Sequence, residues 1–195
     1  DNKNNKLIIL DKLTYSGNLK YLKNILDSKR VMFIKGDLLN SKLYSSFLKN
    51  VDVAINVAAE SHVDNSFNAP IQFTTNNTLG THMFLENCIS LNVSKIIHIS
   101  SDEVYGEKLK GEYLENSPLT PTNPYSASKA SSEHLVRAWN RTYNLPTIVT
   151  NCSNNYGPFQ FHEKLIPLVM LNALQGKPLP VYGKSHQIRD SLYLV

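Results

Sequence analysis

The sequence lacks the features that would indicate a membrane protein, a secreted protein or a metal site. Its 195 residues contain no apolar run near the roughly 18 residues needed to span a membrane. The polar start, Asp1–Lys6, has no apolar segment of the kind found in signal peptides. The two cysteines, Cys88 and Cys152, are too few for a disulfide framework and are not spaced as metal ligands. We therefore predict a cytoplasmic protein with no metal and no membrane partner.

Basic residues are also not concentrated anywhere in the chain. Lys and Arg number 20 against 16 Asp and Glu, which gives a net charge of +4. No basic cluster with interleaved aromatic residues occurs, so we expect no nucleic-acid partner. The hydrophobic fraction of 42% and the charged fraction of 18% are typical of a globular protein. The length suits one domain with a core, or one domain and part of another.

Strand-like apolar runs alternate with helical stretches along the chain. The strand-like runs are residues 6–10, 31–34, 51–58, 96–100 and 147–150. The helical stretches are residues 41–48, 73–91, 123–144 and 165–175. The third opens with Asn123 as the expected cap and Pro124 at the first helical position. The apolar runs are β-branched and nearly continuous, which favours strands of a parallel sheet covered on both faces. The alternation predicts an α/β fold with a doubly wound parallel sheet of the Rossmann type.

The chain has no glycine-rich phosphate loop, although Asp11 lies where a dinucleotide-binding fold places an acid. An acid after an early strand can bind a ribose 2′-OH and would repel the 2′-phosphate of NADP. A turn-capping role is the alternative for this residue taken alone. The loop normally lies about 20 residues before such an acid. We therefore expect the first strand and its glycine loop to be missing, and we interpret residues 1–195 as a fragment.

Tyr125 and Lys129 have the spacing of two side chains that share a helix face. A nearby ammonium stabilises a phenolate, so we expect Lys129 to lower the pKa of Tyr125 and make it a usable base. Ser101 ends an earlier predicted strand and could hydrogen-bond the same substrate hydroxyl. An ordinary surface pair is the alternative for the Tyr-x-x-x-Lys pattern alone.

Asp102 and Glu103 are adjacent acids at the end of the same predicted strand. In a pocket, two carboxyls push their pKa values apart, so one can act as an acid and the other as a base. Removal of water across a C–C bond needs such a pair: a base for the carbon-bound hydrogen and an acid for the departing hydroxyl. Two solvated acids in a turn are the alternative.

Three motifs, Ser101–Gly106, Asn123–Ala130 and Asn151–Pro158, resemble the dTDP-glucose 4,6-dehydratase family of the extended short-chain dehydrogenase/reductases. Shorter matching stretches are Asp11–Tyr15, Ala58–Asp64, Glu163–Pro167, Leu179–Gly183 and Gln187–Asp190. The resemblance covers nearly the whole chain in the family's order. The chain departs from the family pattern at Ser101 and Asn76, where Thr is usual, and at Ser191, where Trp is usual.

The resemblance implies a role for each matching residue. Those implied in catalysis are Ser101, Asp102, Glu103, Tyr125 and Lys129. Those implied in binding NAD are Asp11, Lys12, Leu13, Thr14, Asp37, Leu38, Ala58, Ala59, Tyr125, Lys129 and Asn155. Those implied in binding the nucleotide sugar, dTDP-glucose, are Ser61, Ser101, Asn154, Lys164, Leu165, Pro180, Val181, Tyr182 and Arg189. His62 is implied in a supporting role.

The resemblance also implies a division of the chain and an assembly. Residues 1–150 would be an incomplete NAD-binding domain, and residues 151–195 the truncated start of a nucleotide-sugar-binding region. The full-length protein would be a homodimer. A related nucleotide-sugar epimerase or decarboxylase is one alternative function, and a non-catalytic binding module is another. Without the glycine loop, we expect the chain alone neither to bind NAD tightly nor to turn over.

Overall fold

The computed structural model describes residues 5–108, 110–181 and 188–194. Within them, the strands are β1 Leu7–Asp11, β2 Val31–Lys35, β3 Val53–Asn56, β4 Lys95–Ile99, β5 Thr147–Thr150, β6 Asn154–Tyr156 and β7 Ser191–Tyr193. The α-helices are α1 Lys23–Leu26, α2 Ser41–Leu48, α3 Val63–Asn68, α4 Pro70–Phe73, α5 Gly80–Ser90, α6 Pro124–Tyr143 and α7 Leu165–Leu174. The five predicted strands and four predicted helices are all present, and most of their ends shift by at most two residues. The exception is the predicted helix 73–91: α4 ends at Phe73, a π-helical turn covers Thr74–Leu79, and α5 begins only at Gly80.

All strand pairs in the described residues are parallel, which confirms the α/β fold. The pairs form three groups in the orders β1-β2, β3-β4-β5 and β6-β7. Residue Leu7 pairs with Val31 in the first group, and Ile96 pairs with Thr147 in the second. β1 and β3 pair with no common described strand, so each presents an unpaired edge.

The core lies between the β3-β4-β5 sheet and helices α5 and α6. Leu85, Cys88, Ile96 and Val136 have no exposed surface there. Burial of apolar side chains is the dominant stabilising contribution to a fold, at about 25 cal/mol per Å². By contrast, β1 and β2 contain no buried residue. The buried core among the described residues therefore lies in the half that carries Ser101 and α6.

Helices α4 and α5 are joined by one turn of π-helix, Thr74–Leu79. π-turns are rare and are found mostly at functional sites. The turn contains the buried Asn77, whose amide binds the main chain of Glu60 through both its oxygen (2.7 Å) and its nitrogen (3.0 Å). The same Nδ2 donates to Ser128 Oγ on α6 at 2.8 Å. Asn77 thus ties the segment after β3 to the helix that carries Tyr125 and Lys129.

Candidate active site

The predicted reactive residues come together where β4 ends and α6 begins. Ser101 caps a short 3-10 turn, Asp102–Tyr105, because its hydroxyl accepts from the main-chain N–H of Glu103 at 3.2 Å. The same hydroxyl donates to Asp102 Oδ1 at 3.2 Å. Gly106 ends the turn at a φ of +84°, a conformation that favours glycine. This turn holds both carboxyls beside the strand end.

Helix α6 begins as the sequence predicts, with Asn123 as the cap and Pro124 in the first turn. Asn123 and Ser126 form a reciprocal capping box, with bonds of 2.8 and 3.1 Å. The helix start places Tyr125 and Lys129 beneath the end of β4, both nearly fully buried. The Lys129 ammonium donates to the carbonyl of Ile99 at 2.6 Å.

The expected lowering of the Tyr125 pKa is wrong for this structure. Burial raises the pKa of Tyr125 to about 12; the Ser101 side chain opposes this rise, and Glu103, Cys152 and Asp102 add to it. Burial lowers the pKa of Lys129 to about 8, and Cys152 and Glu133 oppose that fall. Desolvation disfavours the charged form of both groups. The sequence pattern could not reveal this, because it contains the charge pair and not its burial.

Glu103 lies at the centre of a set of polar contacts. Its Oε2 accepts from Asn123 Nδ2 at 3.3 Å, and its Oε1 lies 3.9 Å from Arg189 Nη1. Lys164 is also near: burial lowers the pKa of Lys164, and the charges of Glu163 and Glu103 oppose this fall. The structure therefore brings two of the predicted substrate-binding cations, Lys164 and Arg189, near Glu103.

The predicted cofactor residues of the first two strands lie at the carboxyl ends of those strands. Asp11 is exposed, and its Oδ1 accepts from the N–H of Leu13, which adopts a φ of +52°. Lys12 pairs with Asp37 at 2.6 Å. Burial raises the pKa of Asp37. The hydrogen bonds from Lys12 and from the N–H of Leu39, together with the Lys12 charge, lower it by more, so the net shift is downward. Asp37 therefore stays ionised, and its partner Lys12 lines a cleft.

That cleft has a volume of about 590 Å³. Its lining includes Lys12, Thr14, Leu39, Glu60 and Asn76. Carboxylate, hydroxyl and amide groups of this kind suit the ribose hydroxyls and amino groups of a dinucleotide. The donor set at the ends of β1 and β2 therefore fits NAD. The Asn76 side chain in this cleft also makes a contact: its amide donates to the Glu60 carboxylate at 3.3 Å.

The remaining predicted NAD residues do not line this cleft and lie at separate places in the fold. Ala58 and Ala59 lie exposed after β3, at the carboxyl edge of the β3-β4-β5 sheet. Leu38 is half-buried and also packs against the hydrophobic core. Asn155 lies in β6, half-buried, with its carbonyl accepting from the side chain of Gln160 at 2.8 Å.

The remaining predicted substrate residues follow β3, lie in β6, or flank α7. The Ser61 carbonyl accepts from Lys164 Nζ at 2.5 Å, which joins the segment after β3 to the start of α7. Asn154 begins β6, and Leu165 begins α7. Pro180 is half-buried and Val181 exposed after α7, whereas Tyr182 lies outside the described residues. His62 caps α3 through Nδ1, and its Nε2 lies 3.3 Å from the Glu163 carbonyl, as a supporting role requires.

Several residues that contact the site were not predicted as part of it. Asn123 was interpreted only as a helix cap, and its second contact with Glu103 has no signal in the local sequence. Cys152, Asn151 and Glu133 lie next to the reactive group through tertiary contacts. Glu133 had an available signal, because it follows Lys129 at the helical spacing of four residues. Asn151 and Cys152 also had one, because they begin the matching motif Asn151–Pro158.

The His, Cys, Asp and Glu side chains of the described residues form no group of three or more that could hold a metal ion. No helix among them has both the length and the apolar character to cross a membrane.

Comparison with known proteins gives relatives over nearly all of the chain. The dTDP-glucose 4,6-dehydratase of Salmonella typhimurium is 49% identical, across 99% of this chain and 59% of the relative. A dTDP-glucose 4,6-dehydratase from Streptomyces venezuelae, solved with NAD bound, superposes with a TM-score of 0.95 at 42% identity, covering 97% of this chain and 59% of the other. The chain thus spans about 60% of the length of these relatives.

A more distant enzyme shares the same fold. The UDP-glucuronic acid 4-epimerase of Bacillus cereus, solved with UDP-glucuronic acid and NAD, superposes with a TM-score of 0.92 at 29% identity, over 98% of this chain and 62% of the other. The family model described as GDP-mannose 4,6 dehydratase matches residues 2–194. This match covers nearly the whole chain, and the chain therefore belongs to the GDP-mannose 4,6 dehydratase family.

Proposed function

We propose that the complete protein is an NAD-dependent dTDP-glucose 4,6-dehydratase, which forms dTDP-4-keto-6-deoxyglucose. The observation that carries this proposal is the Asp102–Glu103 pair held beside Ser101, Tyr125 and Lys129. The Tyr-Lys pair and the serine serve any sugar oxidation in this fold. The two carboxyls add the acid and the base that elimination of water requires.

In this proposal the NAD-binding region is residues 1–150. Asp11 holds the adenosine ribose, Lys12, Leu13, Thr14, Asp37 and Leu38 surround the adenosine end, and Ala58 and Ala59 follow the sheet edge toward the reacting centre. Lys129 and Tyr125 contact the nicotinamide ribose, and Asn155 lies at the nicotinamide end. When bound there, NAD would supply hydride-transfer chemistry, as acceptor of the hydride from the sugar C4 and donor of a hydride to C6.

The reaction then uses the clustered side chains in three steps. In its phenolate form, Tyr125, hydrogen-bonded with Ser101 and one helical turn before Lys129, takes the proton from the 4-OH as the C4 hydride leaves. The resulting 4-ketone acidifies the C5–H, and Glu103 takes that proton. Asp102 gives a proton to the 6-OH, so that the C6–O bond breaks and water leaves. C6 then gains a hydride and Glu103 returns its proton to C5, which completes the 4-keto-6-deoxy product.

Residues 151–195 form the start of the nucleotide-sugar-binding region in this proposal. Asn154, Lys164, Leu165, Pro180, Val181 and Tyr182 would contact the substrate together with Ser61 and Ser101. Arg189 would bind the diphosphate, because a planar guanidinium offers paired donors to phosphate oxygens. Its position near Glu103 supports this assignment, since the diphosphate lies beside the sugar.

The test is the double variant Asp102→Asn/Glu103→Gln in the complete gene product, assayed with dTDP-glucose. We expect dehydration to fall by at least about 10²-fold, the usual contribution of one general acid or base. A matched control, Asp52→Asn/Glu107→Gln, removes two exposed acids and should keep the wild-type rate. Mass spectrometry of the product should show loss of water from the sugar nucleotide.

Two outcomes would overturn the proposal. Wild-type turnover by the double variant would remove the carboxyl pair from the mechanism. A product isomeric with the substrate would instead indicate an epimerase, the activity of the Bacillus cereus neighbour.

We also propose that the complete protein is a cytoplasmic homodimer. The support is an aromatic surface formed by α5 and α6, where His82 packs edge-on against Trp139 and Trp139 against Tyr143. Ile89 borders the same surface. Aromatic residues are enriched in protein interfaces. Light scattering should give twice the monomer mass, and Trp139→Glu should shift the complete protein toward monomer.

A further inference from the structure

Glu133 is a carboxylate without exposed surface, in the middle of α6. Glutamate is seldom fully buried unless it is paired, because the loss of hydration costs several kcal/mol. The residue lies one helical turn beyond Lys129 and two turns beyond Tyr125. None of the proposed reaction steps uses it.

Both oxygens of Glu133 are occupied by donors. Oε1 accepts from Arg137, at 3.0 Å from Nε and 2.5 Å from Nη2. Oε2 accepts from Asn151 Nδ2 at 2.9 Å. The Arg137 side chain is 48% exposed, so its charge is partly hydrated, while the charge of Glu133 is not. The carboxylate is thus fixed in one position by two elements of the fold.

Asn151 extends this contact to the reacting centre. It directly follows β5, and its Nδ2 also lies 3.4 Å from the carbonyl oxygen of Ser101. Ser101 itself follows β4. A single amide therefore connects the Glu133 carboxylate on α6 with the strand end whose serine faces Tyr125.

We propose that Glu133 is a positioning residue for the redox pair: its buried carboxylate joins the Tyr125–Lys129 helix to the strand ends of Asn151 and Ser101, and its charge supports the Lys129 ammonium. This inference rests on the proposed function for its kinetic readout. Glu133 takes no part in the reaction itself, and it keeps Ser101, Tyr125 and Lys129 in one arrangement.

The surrounding charges agree with this assignment. Burial lowers the pKa of Lys129 to about 8, and the residues that oppose the fall are Cys152, after β5, and Glu133. His98 faces Lys129 from β4, and the ammonium lowers the pKa of that imidazole further than burial alone. Tyr125 faces Asp102, Glu103 and Cys152. Removal of the Glu133 charge should therefore lower the pKa of Lys129, and the ammonium should be lost at lower pH.

The kinetic test compares Glu133→Gln, Glu133→Asp and wild type in the complete gene product, with kcat measured against pH. Gln keeps the shape and one acceptor, so the fold should survive. We expect the alkaline limb of the profile to move to lower pH by about one unit in Glu133→Gln. Glu133→Asp retains the charge and should return the limb to the wild-type position. Glu107→Gln, an exposed acid, is the control and should leave the limb unchanged.

A second measurement does not depend on turnover. Competitive acetylation of Lys129, followed by mass spectrometry of the peptide across the pH range, titrates the amine directly. We expect the titration of Lys129 in Glu133→Gln to shift in the same direction as the kinetic limb. Profiles and titrations that coincide with wild type, with only a uniform loss of rate, would overturn the inference. Failure of wild type to form the dehydrated product would instead refute the proposed function, while the Lys129 titration still decides the role of Glu133.

Discussion

His98 is a buried imidazole on β4, 1% exposed, beside the candidate active site. Its Nδ1 lies 3.3 Å from Asn56 Nδ2, across the β3–β4 pair. Burial, with a further contribution from the charge of Lys129, lowers the pKa of His98 to about 3. The folded protein therefore keeps this residue neutral beside a cation at every physiological pH.

A histidine whose pKa is lower in the folded state contributes its full stability only at a pH where it is neutral in the unfolded state too. For His98, this stability is complete above about pH 6.5 and is lost as the pH falls from there toward 3. We expect His98→Asn to flatten the fall of the free energy of unfolding between about pH 6 and 4, by up to about 1.4 kcal/mol per pH unit. Urea unfolding at several pH values measures this slope. His134→Asn, an exposed histidine of α6, should leave it unchanged, and parallel curves for His98→Asn would contradict the expectation.

At the level of helices and turns, Asn123 has two tasks at the start of α6. Its oxygen caps the helix, and its Nδ2 donates to Glu103 at 3.3 Å. Asn123→Ala should lower the stability of the complete protein by about 1 kcal/mol, the usual cost of losing a cap. Asn123→Ser keeps a capping acceptor and loses the donor to Glu103. That variant should therefore keep the melting temperature and lower kcat.

The contrast with α2 provides a control for the cap. Asn40 occupies the same position before α2 but makes no capping bond through its side chain. Asn40→Ala should therefore destabilise less than Asn123→Ala. Equal thermal shifts in the two variants would mean that the Asn123 cap contributes nothing measurable.

The start of α6 was predictable because its signals are local: an Asn cap, a Pro in the first turn and an apolar face. The same holds for α2, whose predicted bounds match the observed ones. The π-turn around Asn77 was not predictable, since its amide bonds with Glu60 and Ser128 come from distant parts of the chain. Strands β6 and β7 were also missed, because three polar or mixed residues each leave no periodic pattern.

The candidate site shows the same division. Motif resemblance named Ser101, Asp102, Glu103, Tyr125 and Lys129, and the structure brings these residues together. The motifs gave no information on burial, so the direction of the Tyr125 pKa shift was wrong. They assigned no role to Glu133 or to Asn151, although Asn151 begins a matching motif, because the contact between these two residues depends on how α6 lies against β5.

For the whole molecule, the main feature is the separation of the parallel strands into groups. The β1-β2 pair makes no ladder with β3-β4-β5 among the described residues. Its strands are only partly covered, whereas β4 is paired on both sides and contains the fully buried Ile96. The exposed fraction of Ile55 on β3 is 56%, which marks the unpaired edge of the larger sheet.

Separate ladders imply separate cooperative units. In the 195-residue chain, the amides of β1 and β2 should exchange with deuterium through local opening, well before those of β4, which should require global unfolding. In the complete gene product, a strand seated between β1 and β3 would join the two ladders, and the exchange rates of the two groups should converge. Hydrogen exchange followed by mass spectrometry on both forms measures this difference. The unpaired edges therefore determine whether the molecule opens in two stages or in one.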